Sequence, residues 1–267
     1  MSNPSPQAAP ADLPAHRLTA LRAELDRVDD ALHDGLMRRA ELAAQVGALG
    51  AKGSVPLRPG REASIMRRLL ARNHGALDPS TLVRVWREVL AGSKEQQHPM
   101  TVAVGDEALL APALEHFGAL TPVRVAREPG AALDELRRGE ATVAVMPWPG
   151  EGWWTALLDG KARTVHVVAR LPFWARRSAS RSCVVLTAAM PDPSGDDRSL
   201  IAGALPPDGE QACAAALAAS GFEVGDITCT PRFALADVAG FVAADDGRLA
   251  PDAIVLGAYA VPIGDTV

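Results

Sequence analysis

Apolar residues between Leu18 and Leu49 recur at Leu18, Leu21, Leu25, Val28, Leu32, Leu36, Ala43 and Val46, with no proline in the run. Steps of three, four and seven keep these positions on one stripe of a helix of about nine turns. Arg39 stands in that stripe, three residues after Leu36 and four before Ala43. A guanidinium in an apolar seam is costly unless an anion meets it there. Arg22 lies at the edge of the same stripe, roughly 25 Å from Arg39 at 1.5 Å per residue. One helix cannot bring both cations to one small ligand. A second, antiparallel copy brings one copy's Arg22 toward the other's Arg39.

Gly50 and Gly53 end the run, and GSVPLRPG leads into a short helix, REASIMRRLLARNHG, closed by Gly75. Asp78 and Pro79 form an N-cap and first-turn pair for a third helix, STLVRVWREVLAGSKEQQ. Its expected buried face is Leu82, Val85, Trp86, Val89 and Leu90. Three helices with one overhanging the others cannot close a single-chain core, so the pattern predicts a dimer through the long helix. Residues 1–14, rich in Pro, Ala and Ser, read as a disordered tail.

After Pro99 the grammar changes to short β-rich runs: TVAV (101–104), PVRV (122–125), TVAVMP (142–147), VHVVARLP (165–172) and CVVLTAAMP (183–191). Helical stretches at about 106–117 and 131–139 separate the early ones, which is the pattern of an α/β domain. PDPSGDDRS is a turn-rich joint. Beyond it SLIAGALP, GEQACAAALAASG, ITCTP, GFVAAD and AIVLGAYAVP read as strand, helix, two strands and strand, with a weak helical turn near Arg248. The predicted divisions are a tail (1–14), a helical domain (15–98), an α/β region (99–191) and a terminal region (192–267).

Composition narrows the function. A net charge of −5 gives no basic footprint for nucleic acid or an anionic membrane, and no apolar run reaches spanning length. Cys183, Cys213 and Cys229 are scattered, without a CxxC pair, and read as small buried hydrophobes of a reducing compartment. No signal peptide is legible at the N-terminus, so a cytoplasmic protein is expected. His116 and His166 lack a second ligand at metal spacing, so no metal is expected. Trp148, Trp153 and Trp154 read as packing.

The segments LRAELDRVDDAL, MRRAELAAQVG, RPGREASIMRRLL and SKEQQ resemble the all-helical chorismate mutase family. The resemblance implies an intertwined helical homodimer with each site shared between subunits, chorismate as substrate, and no cofactor. Chorismate to prephenate is an intramolecular Claisen rearrangement that needs no nucleophile, base or metal. A site for it must hold a dicarboxylate in a reactive shape and stabilise charge growing on the ether oxygen. Arginine forks suit the carboxylates.

Carried over, the resemblance gives Arg22 one carboxylate across the dimer and Arg39 the other. Arg61 supplies a third cation or a backbone donor near the substrate hydroxyl, and Glu62 accepts from that hydroxyl. Ser93 and Gln97 support a carboxylate and the ether oxygen. The family's lysine, three residues past the glycine of the VG pair, is here Gly50. Lys52 lies two residues on, about 200° round a continuing helix, and reaches the ether oxygen only if the helix has already frayed. Loss of one such donor costs on the order of 10²–10³ in rate. Arg27, Arg38, Arg67 and Arg68 read as surface charge.

The later segments VAVGDEALLAPALEHFG and LRRGEATVAVMPWP resemble the opening lobe of prephenate dehydratase, and SGDDRSLIAGALP, ITCTP and VLGAYAVP its small regulatory ACT domain, a βαββ(α)β fold. That family keeps a catalytic Thr-Arg-Phe, and the closest string here is Ser180-Arg181-Ser182. Gly209-Glu210-Gln211 and Thr228-Cys229-Thr230-Pro231 replace the phenylalanine-binding signatures. The expectation is an active mutase with a degenerate C-terminal region. The alternatives are an impaired, mutase-like sensor or partner protein of aromatic amino-acid biosynthesis, and a bifunctional mutase–dehydratase.

Overall fold

The computed structural model describes residues 12–49, 57–150, 152–158, 165–175 and 182–264. Compactness divides the chain into residues 1–50 and 51–267. The second and third helices fall in the second unit.

The first unit is α1 (Asp12–Leu49), which begins six residues before the periodic run. Its stripe is on the surface: Leu25 is 61% exposed and Leu32 59%, with Leu18, Leu21, Val28, Leu36 and Val46 also exposed. Arg22 is exposed, whereas Arg39 and Ala43 are half-buried. Arg27 and Arg38 pair with Glu24 and Glu41 on exposed surface, as read from the sequence.

The second unit opens with α2 (Pro59–Ala71) and α3 (Pro79–Glu95). Pro59 stands in the first turn of α2, where no amide hydrogen is missed. The next amides are capped from far along the chain: the Asp192 carboxylate accepts from Gly60 N–H at 3.0 Å and Arg61 N–H at 3.1 Å. A Cβ on Gly60 would run into the Asp192 carbonyl, so only glycine admits this approach. Arg67 is not surface charge. It donates to Ser194 Oγ (2.8 Å) and to the carbonyls of Asp196 (2.8 Å) and Val261 (2.9 Å). The turn-rich joint is thus the seat of α2.

Asp78 caps α3 through Ser80 N–H. The buried face of this helix differs from the expected one: Leu82, Val83, Arg87, Leu90 and Lys94 are buried, while Val85 is 49% exposed. Two cations lie on the inner stripe because a carboxylate of α2 meets them there.

A mixed sheet follows. Its elements are β1 (Val102–Val104), α4 (Leu110–Phe117), β2 (Val123–Val125), α5 (Pro129–Arg137), β3 (Val143–Pro147), β4 (His166–Leu171), β5 (Trp174–Ala175) and β6 (Cys183–Thr187). Then come β7 (Asp197–Ala204), α6 (Gly209–Ala219), β8 (Val224–Cys229), β9 (Phe233–Ala239), β10 (Ile254–Ala260) and β11 (Ile263–Gly264). Among the described residues nine strands form one sheet in the order β2-β1-β3-β6-β4-β10-β7-β9-β8. β1 runs parallel to β2 and β3, the α/β pattern expected.

The terminal strands run antiparallel in the order β10-β7-β9-β8, the arrangement of a βαββ(α)β unit. No second helix is present among its described residues. One expected strand is wrong: GFVAAD is not extended, and β9 lies just before it. Asp237 hides β9 by interrupting an otherwise apolar run, yet it is 2% exposed. It accepts from Arg198 Nε (2.7 Å), Arg170 Nη1 (3.4 Å) and the Tyr259 hydroxyl (2.5 Å). Burial and the neighbouring carboxylate push the Tyr259 phenol well up. This knot ties β4 to β7, β9 and β10, so the two half-sheets are one body.

The pairing of β10 with β4 passes through Gly257 opposite Val167. Its φ is +146°, and a Cβ there would overlap the backbone of Val167. Trp148, Trp153 and Trp154 are buried in the core, as packing predicts. Of the cysteines only Cys183 is buried; Cys213 is half-buried and Cys229 exposed on edge strand β8. Among the described residues no helix is long and apolar enough to cross a membrane.

Candidate functional site

The residues singled out by the sequence fall in both units. Arg22 and Arg39 are on α1, and Arg61, Glu62, Ser93 and Gln97 are on or beside α2 and α3. Gly50 and Lys52 lie outside the described residues, as do Ser180 and Arg181 of the altered dehydratase motif.

Glu62 follows the α2 N-terminus, where a carboxylate suits the helix dipole. Its side chain turns inward and is 6% exposed. Oε1 accepts from Lys94 Nζ at 3.0 Å and Oε2 from Arg87 Nη1 at 3.2 Å. Arg87 and Lys94 are 4% and 5% exposed. Each cation also faces an aromatic ring, Arg87 over Phe173 at 5.3 Å and Lys94 over Phe117 at 5.6 Å. Burial lowers the Arg87 pKa and the Glu62 charge opposes that shift. His116, buried beside them, is held well below its ordinary value by burial first and then by Arg87 and Lys94.

In this structure, then, one Glu62 carboxylate is shared between two interior cations. Arg61 gives its N–H to Asp192, which leaves its exposed guanidinium as the group that can reach a substrate. Ser93 and Gln97 are half-buried on one face of the α3 C-terminal end, and the Ser93 hydroxyl donates to the Val89 carbonyl at 2.8 Å.

The sequence reading missed Arg87, Lys94, Asp192 and Arg67. A signal existed for two of them: Val83, Arg87, Leu90 and Lys94 are spaced four, three and four, the same apolar-stripe rule that exposed Arg39. Nothing local marks Asp192, whose partners are about 130 residues away.

Residues 21–98 match the family model for chorismate mutase type II. The bifunctional chorismate mutase/prephenate dehydratase of Stutzerimonas stutzeri is 33% identical over 140 residues, which is 49% of this chain and 37% of that protein. The protein of the same description from Pseudomonas aeruginosa is 33% identical over 138 residues, 48% of this chain and 37% of its own. The matched region thus spans little more than a third of those relatives' length. Prephenate dehydratase from Streptococcus mutans aligns over 61% of this chain and 100% of its own, with 17% identity and a TM-score of 0.45. Over residues 21–98 this chain is thus similar to the chorismate mutase type II family.

Proposed function

We propose that the chain is a chorismate mutase that converts chorismate to prephenate for phenylalanine and tyrosine synthesis, acting in the cytoplasm as a homodimer that shares its sites. The observation that carries this reading is the long helix itself, most of which, residues 21–49, lies inside the matched family segment. Its apolar stripe is exposed over some 28 residues, and an isolated amphipathic helix of this kind gains its stability by covering that stripe. A second α1 is the partner of matching shape and polarity.

In such a dimer the substrate carboxylates would pair with Arg39 of one chain and Arg22 of its partner. Ser93 and Gln97 would line the far wall, the Gln97 amide or Lys52 facing the ether oxygen. Charge that develops on that oxygen meets donors fixed in advance, which is how such a site lowers the barrier without covalent chemistry. The reaction needs no cofactor.

The internal ties of Glu62 and of the Arg61 N–H favour a second reading, a mutase-like binding protein with weak turnover. For the dehydratase-like region we propose no reaction of its own.

Purified protein is mixed with chorismate and the loss of substrate followed, prephenate being identified by acid conversion to phenylpyruvate. An active mutase gives acid-dependent phenylpyruvate, and Arg39→Ala abolishes it with the fold retained. No turnover by the intact chain, with chorismate still bound, selects the second reading. Phenylpyruvate formed without acid selects a bifunctional enzyme. Sedimentation of wild type against Leu25→Glu/Leu32→Glu tests the dimer: the variant is monomeric if α1 is the interface.

A further inference from the structure

A cavity of about 720 Å³ lies between α3, α4 and the Pro172–Trp174 segment. That volume is in the range that takes a small organic ligand. Its α3 wall carries Ser80, Arg84 and Arg87, spaced four and three on one face. Ser93 lies roughly 120–180° round that helix from them at 100° per residue. The cavity therefore opens on another face of α3 from Ser93.

Its chemistry is asymmetric. Glu62 is one carboxylate between two buried cations, so the Glu62–Arg87–Lys94 cluster keeps one positive charge in the interior. Arg87 presents that charge to the cavity, and only one of its five N–H groups is given to Glu62. The neighbouring His116 is neutral, held so partly by those cations. The acids of the lining, Glu88 and Glu115, are exposed and solvent-screened, and one Glu88 oxygen already accepts from Ala119 N–H. Trp174 lines the cavity too, and its buried indole N–H has no hydrogen-bond partner among the described residues. The remaining walls, Val83, Pro112, Leu114 and Phe173, are apolar.

We propose that this cavity binds a small carboxylate with a flat apolar body, the carboxylate on Arg87 and the Trp174 indole N–H, the body against Phe173 and Pro112. A buried cation with spare donors selects an anion, and a charge-assisted pair in a sheltered site is stronger than a neutral one. The apolar walls select what carries the anion. This inference does not depend on the mutase reading.

Calorimetric titration of the full chain with phenylacetate, and with 2-phenylacetamide as the uncharged isostere, tests it. Phenylacetate saturates one site per chain and binds about tenfold tighter than the amide. Arg39→Ala leaves that binding unchanged. Leu114→Trp, which fills the cavity, removes it, and Trp174→Phe, which keeps the ring and deletes the donor, weakens it about threefold to tenfold. Trp174→Phe serves as the deciding variant if Leu114→Trp fails to fold. No saturable binding, equal affinity for the amide, loss in Arg39→Ala, or wild-type binding in Trp174→Phe each overturns the proposal.

Discussion

Glu62→Gln separates a structural from a catalytic role for the residue that the family resemblance places on the substrate hydroxyl. The change keeps the side-chain shape and deletes the charge between Arg87 and Lys94. Two hydrogen bonds to charged donors, at 3.2 and 3.0 Å, are weakened at once. At about 1.5–3 kcal/mol each they are worth roughly 3–6 kcal/mol. Breaking a buried ion pair from one side independently costs about 3–5 kcal/mol, because the orphaned cations stay in the interior. The expected loss is therefore about 4 kcal/mol. For a unit of this size that is a fall in Tm of about 8–16 °C. Urea denaturation followed by tryptophan fluorescence measures it, and adding Arg87→Met to Glu62→Gln recovers part of the loss by removing one stranded cation. A stability change below about 1 kcal/mol, together with a hundredfold or greater fall in mutase turnover, would refute the reasoning. In that case Glu62 acts on the substrate of the proposed mutase.

Asp192→Ala removes the carboxylate that caps two amides of α2, and chemical denaturation should show a loss of about 1–2 kcal/mol. Gly257→Ala forces a Cβ onto the Val167 backbone at a φ of +146°, and the same measurement should show about 3 kcal/mol or more as the β4–β10 pairing is pushed apart. His116 has a folded pKa well below the 6.5 of an unfolded histidine, so the unfolded chain binds a proton the folded one refuses. Its contribution to stability is complete above about pH 6.5 and declines as the pH falls toward the folded value, by up to about 1.4 kcal/mol per pH unit. His116→Gln should flatten the stability profile between pH 6.5 and 5 relative to wild type, and parallel profiles would show that the imidazole is not buried beside those cations.

Local pattern was enough for the elements whose environment repeats along the chain. The stripe of α1, the Asp78 cap, the parallel β1–β3 strands and α6 were legible because period and caps act over a few residues. Arg39 stood out by the same rule, as one charged residue in an apolar period, and it is half-buried while the stripe around it is exposed. The buried face of α3 was legible only in part, because Arg87 and Lys94 read as solvent-facing until Glu62 arrives from another helix. β9 was hidden in the same way by Asp237, whose three donors come from three other strands.

Tertiary structure alone decided the role of Asp192 at the α2 N-terminus, the grip of Arg67 on the joint, and the fusion of two half-sheets through Gly257. Each rests on partners between about 90 and 194 residues apart, a range over which sequence carries no periodic signal. The long helix is the complementary case. Its sequence determined what kind of surface it is, and that apolar stripe stands exposed on α1.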